Sequence, residues 1–156
     1  MSVSATDLAL EAEAARGEFL DAVHSLTPAQ SDASQLVGDW SLREIVAHMG
    51  YWVGNTAEAL HGAEQGRAEE IPGYPDVEER NAVVARVARE TDLATVTKRE
   101  AAAFEAFLDR LRRADPEWLA LRIASGHTIG HLVREDGIDH YREHAADLRK
   151  ATGGEG

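Results

Sequence analysis

The stretch "SLREIVAHMGYWVGNTAEAL", residues 41–60, decides the fold. It begins with a capping box, in which the Ser41 hydroxyl accepts from the first helical turn while Glu44 reaches back to the cap. Its apolar residues then recur at intervals of three and four, the spacing of an amphipathic helix: Leu42, Ile45, Met49, Val53 and Leu60. The stretch therefore predicts a long helix with one face in a protein core.

The segments on both sides of this helix show the same period. It is carried by Leu8, Ala12, Ala15, Phe19, Ala22, Val23 and Leu26, by Val83, Val84 and Val87, by Phe104, Phe107, Leu108 and Leu111, and by Ile129, Leu132 and Val133. Whether a kink near Thr91–Asp92 divides the third helical region is left open. No alternating run predicts a strand. We expect an all-α bundle of four principal helices, with long loops after the first and second, in one domain over residues 1–150 and a flexible tail over 151–156.

The composition limits the chemistry that is available. The chain has 156 residues, no cysteine and a formal net charge of −12. Without thiolates, any metal must be held by histidines and carboxylates. A net negative charge disfavours binding to nucleic acid or to anionic membrane surfaces, because both require a basic patch. There is no signal-peptide pattern and no long apolar run, so we expect a cytoplasmic protein.

Two histidines stand one helical turn apart near the C-terminus. In a helical projection of residues 127–150, His140 and His144 fall within about 40° of Val133 and are expected to face the core, as is Asp136. Imidazoles at positions i and i+4 can converge on one ion. His127 and His131 lie on about the opposite side, and they are read with His24 and His61 as ordinary histidines.

Two imidazoles make a weak site, so a third ligand has to come from another helix. His48 is the candidate, since it lies at the margin of the Ile45, Met49 and Val53 stripe and can reach across the bundle. Three histidines would leave coordination positions open for water or substrate. The H-x-x-x-H spacing alone does not separate this metal site from a pair of hydrogen-bonded core histidines.

The segments "DWSLREIVAHMGYW" (39–52), "YPDVEERN" (74–81) and "DHYREHAADL" (139–148) together resemble the DinB/YfiT-like superfamily over nearly the whole chain. That superfamily includes mycothiol-dependent maleylpyruvate isomerases and bacillithiol or mycothiol S-transferases. The resemblance implies a four-helix bundle with up-down-down-up connectivity. It also implies a divalent metal, zinc or nickel, held by His48, His140 and His144.

Several other residues are candidates for supporting roles. Glu44 and Asp136 are expected to orient the ligand imidazoles as hydrogen-bond acceptors, although the capping box alone already explains Glu44. Trp52 and Tyr141 are expected to line a substrate pocket, and Arg134 to meet an anionic group.

The leading functional hypothesis is a metal-dependent S-transferase or isomerase that uses a low-molecular-weight thiol and acts on small electrophiles. One alternative is a metal-assisted hydrolase or a resistance protein that opens strained electrophiles with water. Another is a non-catalytic bundle that binds a small molecule. A homodimer is a further expectation, because a helical bundle leaves faces exposed.

Overall fold

The computed structural model describes residues 4–73 and 76–153. The α-helices are α1 (Ala5–His24), α2 (Pro28–Asp32), α3 (Leu42–Glu64), α4 (Val77–Arg89), α5 (Leu93–Arg112), α6 (Pro116–Leu119), α7 (Ile129–Arg134) and α8 (His140–Ala151). A 3-10 turn covers Ala68–Glu70, and a π-helical turn, Glu135–Asp139, joins α7 and α8 into one last helix. Within the described ranges the chain forms isolated bridges but no strand. The predicted all-α fold is confirmed.

The sequence sets the helix ends through side-chain caps. The predicted capping box at the start of α3 is present, with Ser41 accepting from the Glu44 backbone and the Glu44 carboxylate accepting from the Ser41 backbone. The Asp92 side chain accepts from the Thr95 backbone N–H at 2.7 Å and begins α5. Because this cap interrupts the helical path, α4 and α5 are separate helices, which settles the question left open at Thr91–Asp92.

The core lies between α1, α3, α5 and the last helix. The predicted stripe of α3 is completely buried, since none of its five residues exceeds 1% exposure. Helix α3 packs along α5 and α4, while α1 packs against α5 and α8. The contact between α3 and α5 is close at Gly50, where a Cβ atom would lie 3.0 Å from the Glu100 Cα. A small residue is therefore required at this crossing.

Helix α4 departs from the expected pattern. It is helical as predicted, but Val83 and Val87 are 44% and 50% exposed, so the valine stripe does not enter the core. The buried residues of α4 are Ala85 and Ala88, which allow the helix to lie close to the bundle. The cause is the short apolar face of α4. Only its two small alanines pack against the bundle, so the valines beside them remain in contact with solvent.

Some expectations fall partly beyond the described residues. Tyr74 and Pro75 lie outside them, as do residues 154–156 of the predicted tail; Ala151 ends α8 and is followed by a turn. The up-down-down-up order, the cytoplasmic location and the homodimer remain predictions. None of the described helices is long and apolar enough to cross a membrane.

The π-helical turn is fixed by packing at Gly137, and this can be tested. A Cβ at this position would overlap the Phe107 ring, so Gly137→Ala should lower the free energy of unfolding by about 1–3 kcal/mol. Gly17 in α1 is the matched control, because a Cβ there would contact nothing and Gly17→Ala should gain about 0.5–1 kcal/mol. Urea unfolding measures both. An unchanged midpoint for Gly137→Ala would contradict the packing described.

Candidate metal centre

A buried polar cluster fixes the orientation of the last helix. Arg16 of α1 donates two hydrogen bonds to the Glu100 carboxylate of α5, at 2.8 and 2.7 Å. The Tyr141 hydroxyl of α8 donates to the same carboxylate. Burial, with the nearby Glu100 charge, raises the pKa of Tyr141 well above its usual range, so the hydroxyl keeps its proton and remains a donor. Three helices are thereby joined at one carboxylate.

The π-helical turn changes which residues of the last helix face the core. The backbone N–H of His140 donates to the Glu135 carbonyl five residues earlier, so the helix holds one residue more than an α-helix would. That extra residue rotates the following segment by about 100°. The core face of α8 is therefore formed by Tyr141, Ala145 and Leu148. His140 and His144 are half-buried at its edge, which corrects the expectation that they face the core.

The three candidate ligands nevertheless meet at one point. The Nε2 atoms of His48 and His140 are 2.8 Å apart, and one ring nitrogen from each of His48, His140 and His144 lies within 4.8 Å of the others. Each pair of these three rings packs in an edge-on arrangement, with centroids 4.6 to 5.2 Å apart. Helix α3 therefore brings His48 to the two histidines of α8, as the sequence suggested.

The environment of the three imidazoles keeps them neutral. Burial lowers the pKa of His48 to about 3, and the neighbouring His140 and His144 add to this shift. Burial also lowers the pKa of His140 to about 4, with His144 contributing. The pKa of His144 is lowered by burial as well, although Asp147 and Glu143 oppose the change. At neutral pH all three rings are therefore neutral, which is the form that binds metals, and one of the His48 and His140 rings donates its Nε2–H to the Nε2 of the other.

The donor set fits a divalent transition metal. Two imidazole nitrogens on one tetrahedral zinc ion are about 3.3–3.4 Å apart, so the 2.8 Å between His48 and His140 would have to open by about 0.5 Å to hold the ion. The other ring nitrogen of a ligating histidine usually meets an acceptor. The Asp147 carboxylate lies 3.3 Å from His144 Nδ1 as an ion-pair contact, but the Nδ1 atoms of His48, His140 and His144 have no hydrogen-bond partner among the described residues. Cysteine is absent from the chain, so histidine is its softest strong ligand.

The histidine cluster opens into a cavity of about 770 Å³. His48 and His140 form part of its wall. Apolar side chains line other parts of it: Trp52, Ala59, Ile71, Pro72, Val77, Ile123 and Leu132. Polar side chains complete the lining: Asn55, Thr56, Asn81, Ser125, His127, Glu135, Asp136 and Glu143. A cavity of this size accommodates a small organic molecule beside the histidines.

Asp136 is the most strongly perturbed carboxyl group of the cavity. It belongs to the π-helical turn, and the Thr56 hydroxyl donates to its Oδ2 at 2.8 Å. Burial raises the pKa of Asp136 to about 7, although the hydrogen bond from Thr56 opposes the shift. The sequence suggested Asp136 as an acceptor for a ligand imidazole; its observed hydrogen bond is to Thr56 instead. At neutral pH Asp136 can therefore either hold or accept a proton within the cavity.

The other predicted residues fall into two groups. Trp52 lines the cavity as expected and donates through its indole N–H to Asn81. Glu44 does not orient an imidazole: its carboxylate binds Ser41 and Arg89. Tyr141 and Arg134 do not line the cavity, which corrects both expectations, because the rotated α8 turns Tyr141 into the core and Arg134 pairs with Glu11.

Three contributing residues were not predicted from the sequence. Asp147 follows His144 by three positions, so its contact was visible in the helical spacing. Thr56 and Asn81 carried no such signal. Their roles depend on how α3 meets the π-helical turn and α4, which is a matter of tertiary packing.

The histidine cluster predicts that removing one ring abolishes metal binding. His48→Ala should lose stoichiometric zinc while keeping its helical content, because the apolar core does not depend on this ring. His140→Ala, which truncates a less buried ring, should behave in the same way. Elemental analysis of protein purified without a nickel column, together with circular dichroism, measures both. His131→Ala, on an exposed face, is the control; full zinc in either cluster variant would show that the ligands lie elsewhere.

The raised pKa of Asp136 predicts a pH-dependent cost in stability. An unfolded aspartate ionises near pH 3.8, whereas the folded one ionises near 7, so the folded state loses stability as the pH rises through this window. Asp136→Asn keeps the acceptor for Thr56 but cannot ionise. With both proteins free of metal, the free energy of unfolding of the variant at pH 8 should be about 1–3 kcal/mol higher than that of the unmodified protein. The difference should become smaller toward pH 4. Urea unfolding checks this, and Asp139→Asn, exposed in the same turn, should show no such trend.

Comparison with known proteins agrees with the fold and with the mycothiol-related resemblance seen in the sequence. No curated protein and no solved structure matches the chain. A family model described as the mycothiol maleylpyruvate isomerase N-terminal domain matches residues 12–149, which include α3, most of α8 and the whole histidine cluster. The chain therefore belongs to the mycothiol maleylpyruvate isomerase N-terminal domain family, within the DinB-like superfamily.

Proposed function

We propose that this chain is a divalent-metal-dependent enzyme that uses a low-molecular-weight thiol in an S-transfer or isomerisation reaction on a small electrophile. The observation that carries the proposal is the meeting of His48, His140 and His144 beside a large cavity that His48 and His140 line. The family's description names both mycothiol and an isomerase, which supports the thiol and the type of reaction. His48, His140 and His144 are assigned as the metal ligands.

The chemistry divides between the metal and the cavity residues. A zinc or nickel ion held by the histidines would supply a Lewis acid that lowers the pKa of a thiol. Asp147, whose carboxylate lies 3.3 Å from His144 Nδ1, would serve as the acceptor for that ring when a metal is bound. Asp136 is placed to receive a proton from the thiol or to return one to the product, since its pKa is close to 7. The apolar wall formed by Trp52 and its neighbours excludes water from the ionised thiol.

Turnover with and without a thiol tests the proposal. Zinc-loaded protein should consume N-ethylmaleimide in the presence of mycothiol at a rate at least tenfold above the uncatalysed reaction. His48→Ala should reduce this excess rate at least tenfold, because it removes a ligand. His24→Ala, at an exposed position outside the cavity lining, should leave the rate unchanged.

The possible outcomes separate the competing functions. Loss of electrophile at the same rate with and without the thiol would overturn the proposal in favour of a hydrolase. Stoichiometric zinc together with no rate above background for mycothiol or bacillithiol would favour a binding protein without catalysis.

A further inference from the structure

The charges of the cavity wall differ from what a dicarboxylate substrate requires. Three carboxyl groups line the cavity, those of Glu135, Asp136 and Glu143. Among the described residues that line it, none is an arginine or a lysine. Maleylpyruvate, the compound in the family's description, carries two carboxylates. A site for such a molecule normally pairs each carboxylate with a cationic side chain, most effectively an arginine.

The arginines nearest to these acids along the chain are already paired elsewhere. Arg134, beside Glu135, pairs with Glu11 of α1 at 3.2 Å. Arg142, beside Glu143, pairs with Glu18 of the same helix at 3.0 Å. Both guanidinium groups therefore hold the last helix against α1 and do not serve the cavity.

A bound metal could balance only part of the charge of a dicarboxylate. One substrate carboxylate could meet the cation at the histidine cluster. The second would then enter a partly apolar cavity whose described lining has no arginine or lysine and does have carboxylates. Burying an unpaired charge is costly, and like charges at close range add to that cost. A neutral group avoids both costs, and a cationic group is attracted by the carboxylates of the wall, which offsets the cost of removing it from water.

Asn55 offers a hydrogen-bond donor that a neutral ligand can use. It lines the cavity, and its side-chain Nδ2 is buried without a hydrogen-bond partner among the described residues. A buried amide donor of this kind is satisfied by a carbonyl oxygen of a ligand. The cavity thus combines a free donor, an apolar wall and an acidic wall.

We propose that the cavity selects neutral or cationic electrophiles and discriminates against dicarboxylates, so that the substrate of this chain is not an anionic acid of the maleylpyruvate type. Glu135 and Glu143 are the specificity-determining residues. The inference rests on the proposed function, because it takes the cavity beside the histidines as the substrate site.

A matched pair of ligands tests the charge preference. Maleamide and maleate share one carbon skeleton and differ by two negative charges. Calorimetric titration of the zinc-loaded full chain at pH 8 should give at least tenfold tighter binding of maleamide. In the double variant Glu135→Gln/Glu143→Gln the ratio should fall at least fivefold, through tighter binding of maleate. The variant Glu58→Gln/Glu105→Gln removes the same charge from exposed positions outside the lining and should keep the original ratio.

The outcomes are decisive in both directions. Equal or tighter binding of maleate by the unmodified protein would overturn the inference, and so would a lack of maleamide binding. An unchanged ratio in the double variant, with zinc content confirmed at one equivalent, would remove Glu135 and Glu143 as its cause. A clear preference for maleamide without thiol-dependent turnover would overturn the proposed function while leaving the charge preference intact. Thiol-dependent turnover of maleate at the rate seen for N-ethylmaleimide would overturn the charge preference and leave the proposed function intact.

Discussion

The buried carboxylate of Glu100 is the constraint on which the rest of the structure depends. It accepts hydrogen bonds from Arg16 and Tyr141, so it is paired and satisfied although it is only 2% exposed. Removing one partner of such a buried pair typically costs about 3–5 kcal/mol, because the remaining charge is left without compensation. Tyr141 directly follows His140, so the bond that holds the tyrosine in the core also fixes the direction in which His140 points. Core packing and site geometry are therefore set by the same contact.

The histidine cluster shows how burial prepares a site for a cation. Three imidazoles this close cannot all be protonated, since each charge would raise the cost of the next, and burial lowers the pKa of each ring further. The result is a group of neutral donors at neutral pH. Asp136, in the same cavity, responds to burial in the opposite sense because its charged form is the anion. One desolvated space thus holds neutral imidazoles together with a carboxyl group that exchanges its proton near pH 7, an arrangement suited to proton transfer.

The sequence predicts the helices well and the local shape of the site less well. The capping box at Ser41 and the stripe from Leu42 to Leu60 predict α3, and the position of His48 at the edge of that stripe predicts its approach to α8. These signals are local, so periodicity reveals them. The π-helical turn is different: Glu135–Asp139 have no pattern that marks an extra residue, and a straight projection therefore turned His140 toward the core in place of Tyr141. The partners of Asp136 and Trp52, namely Thr56 and Asn81, depend on contacts between distant segments. The valines of α4 show the same limit of sequence-based prediction. An apolar period indicates a helix with an apolar face, but it does not reveal whether another helix will bury that face.

The π-helical turn also determines which way every later side chain of the last helix points. A helix that gains one residue over a turn shifts its later side chains by about a quarter of a revolution, and losing that residue would reverse the shift. In this chain the single inserted residue separates two arrangements of the same C-terminal sequence. In one of them the tyrosine reaches its carboxylate and the imidazoles border the cavity; in the other the imidazoles would compete with the tyrosine for the interior. A change in length of one residue here would thus separate the three histidines without altering any of them.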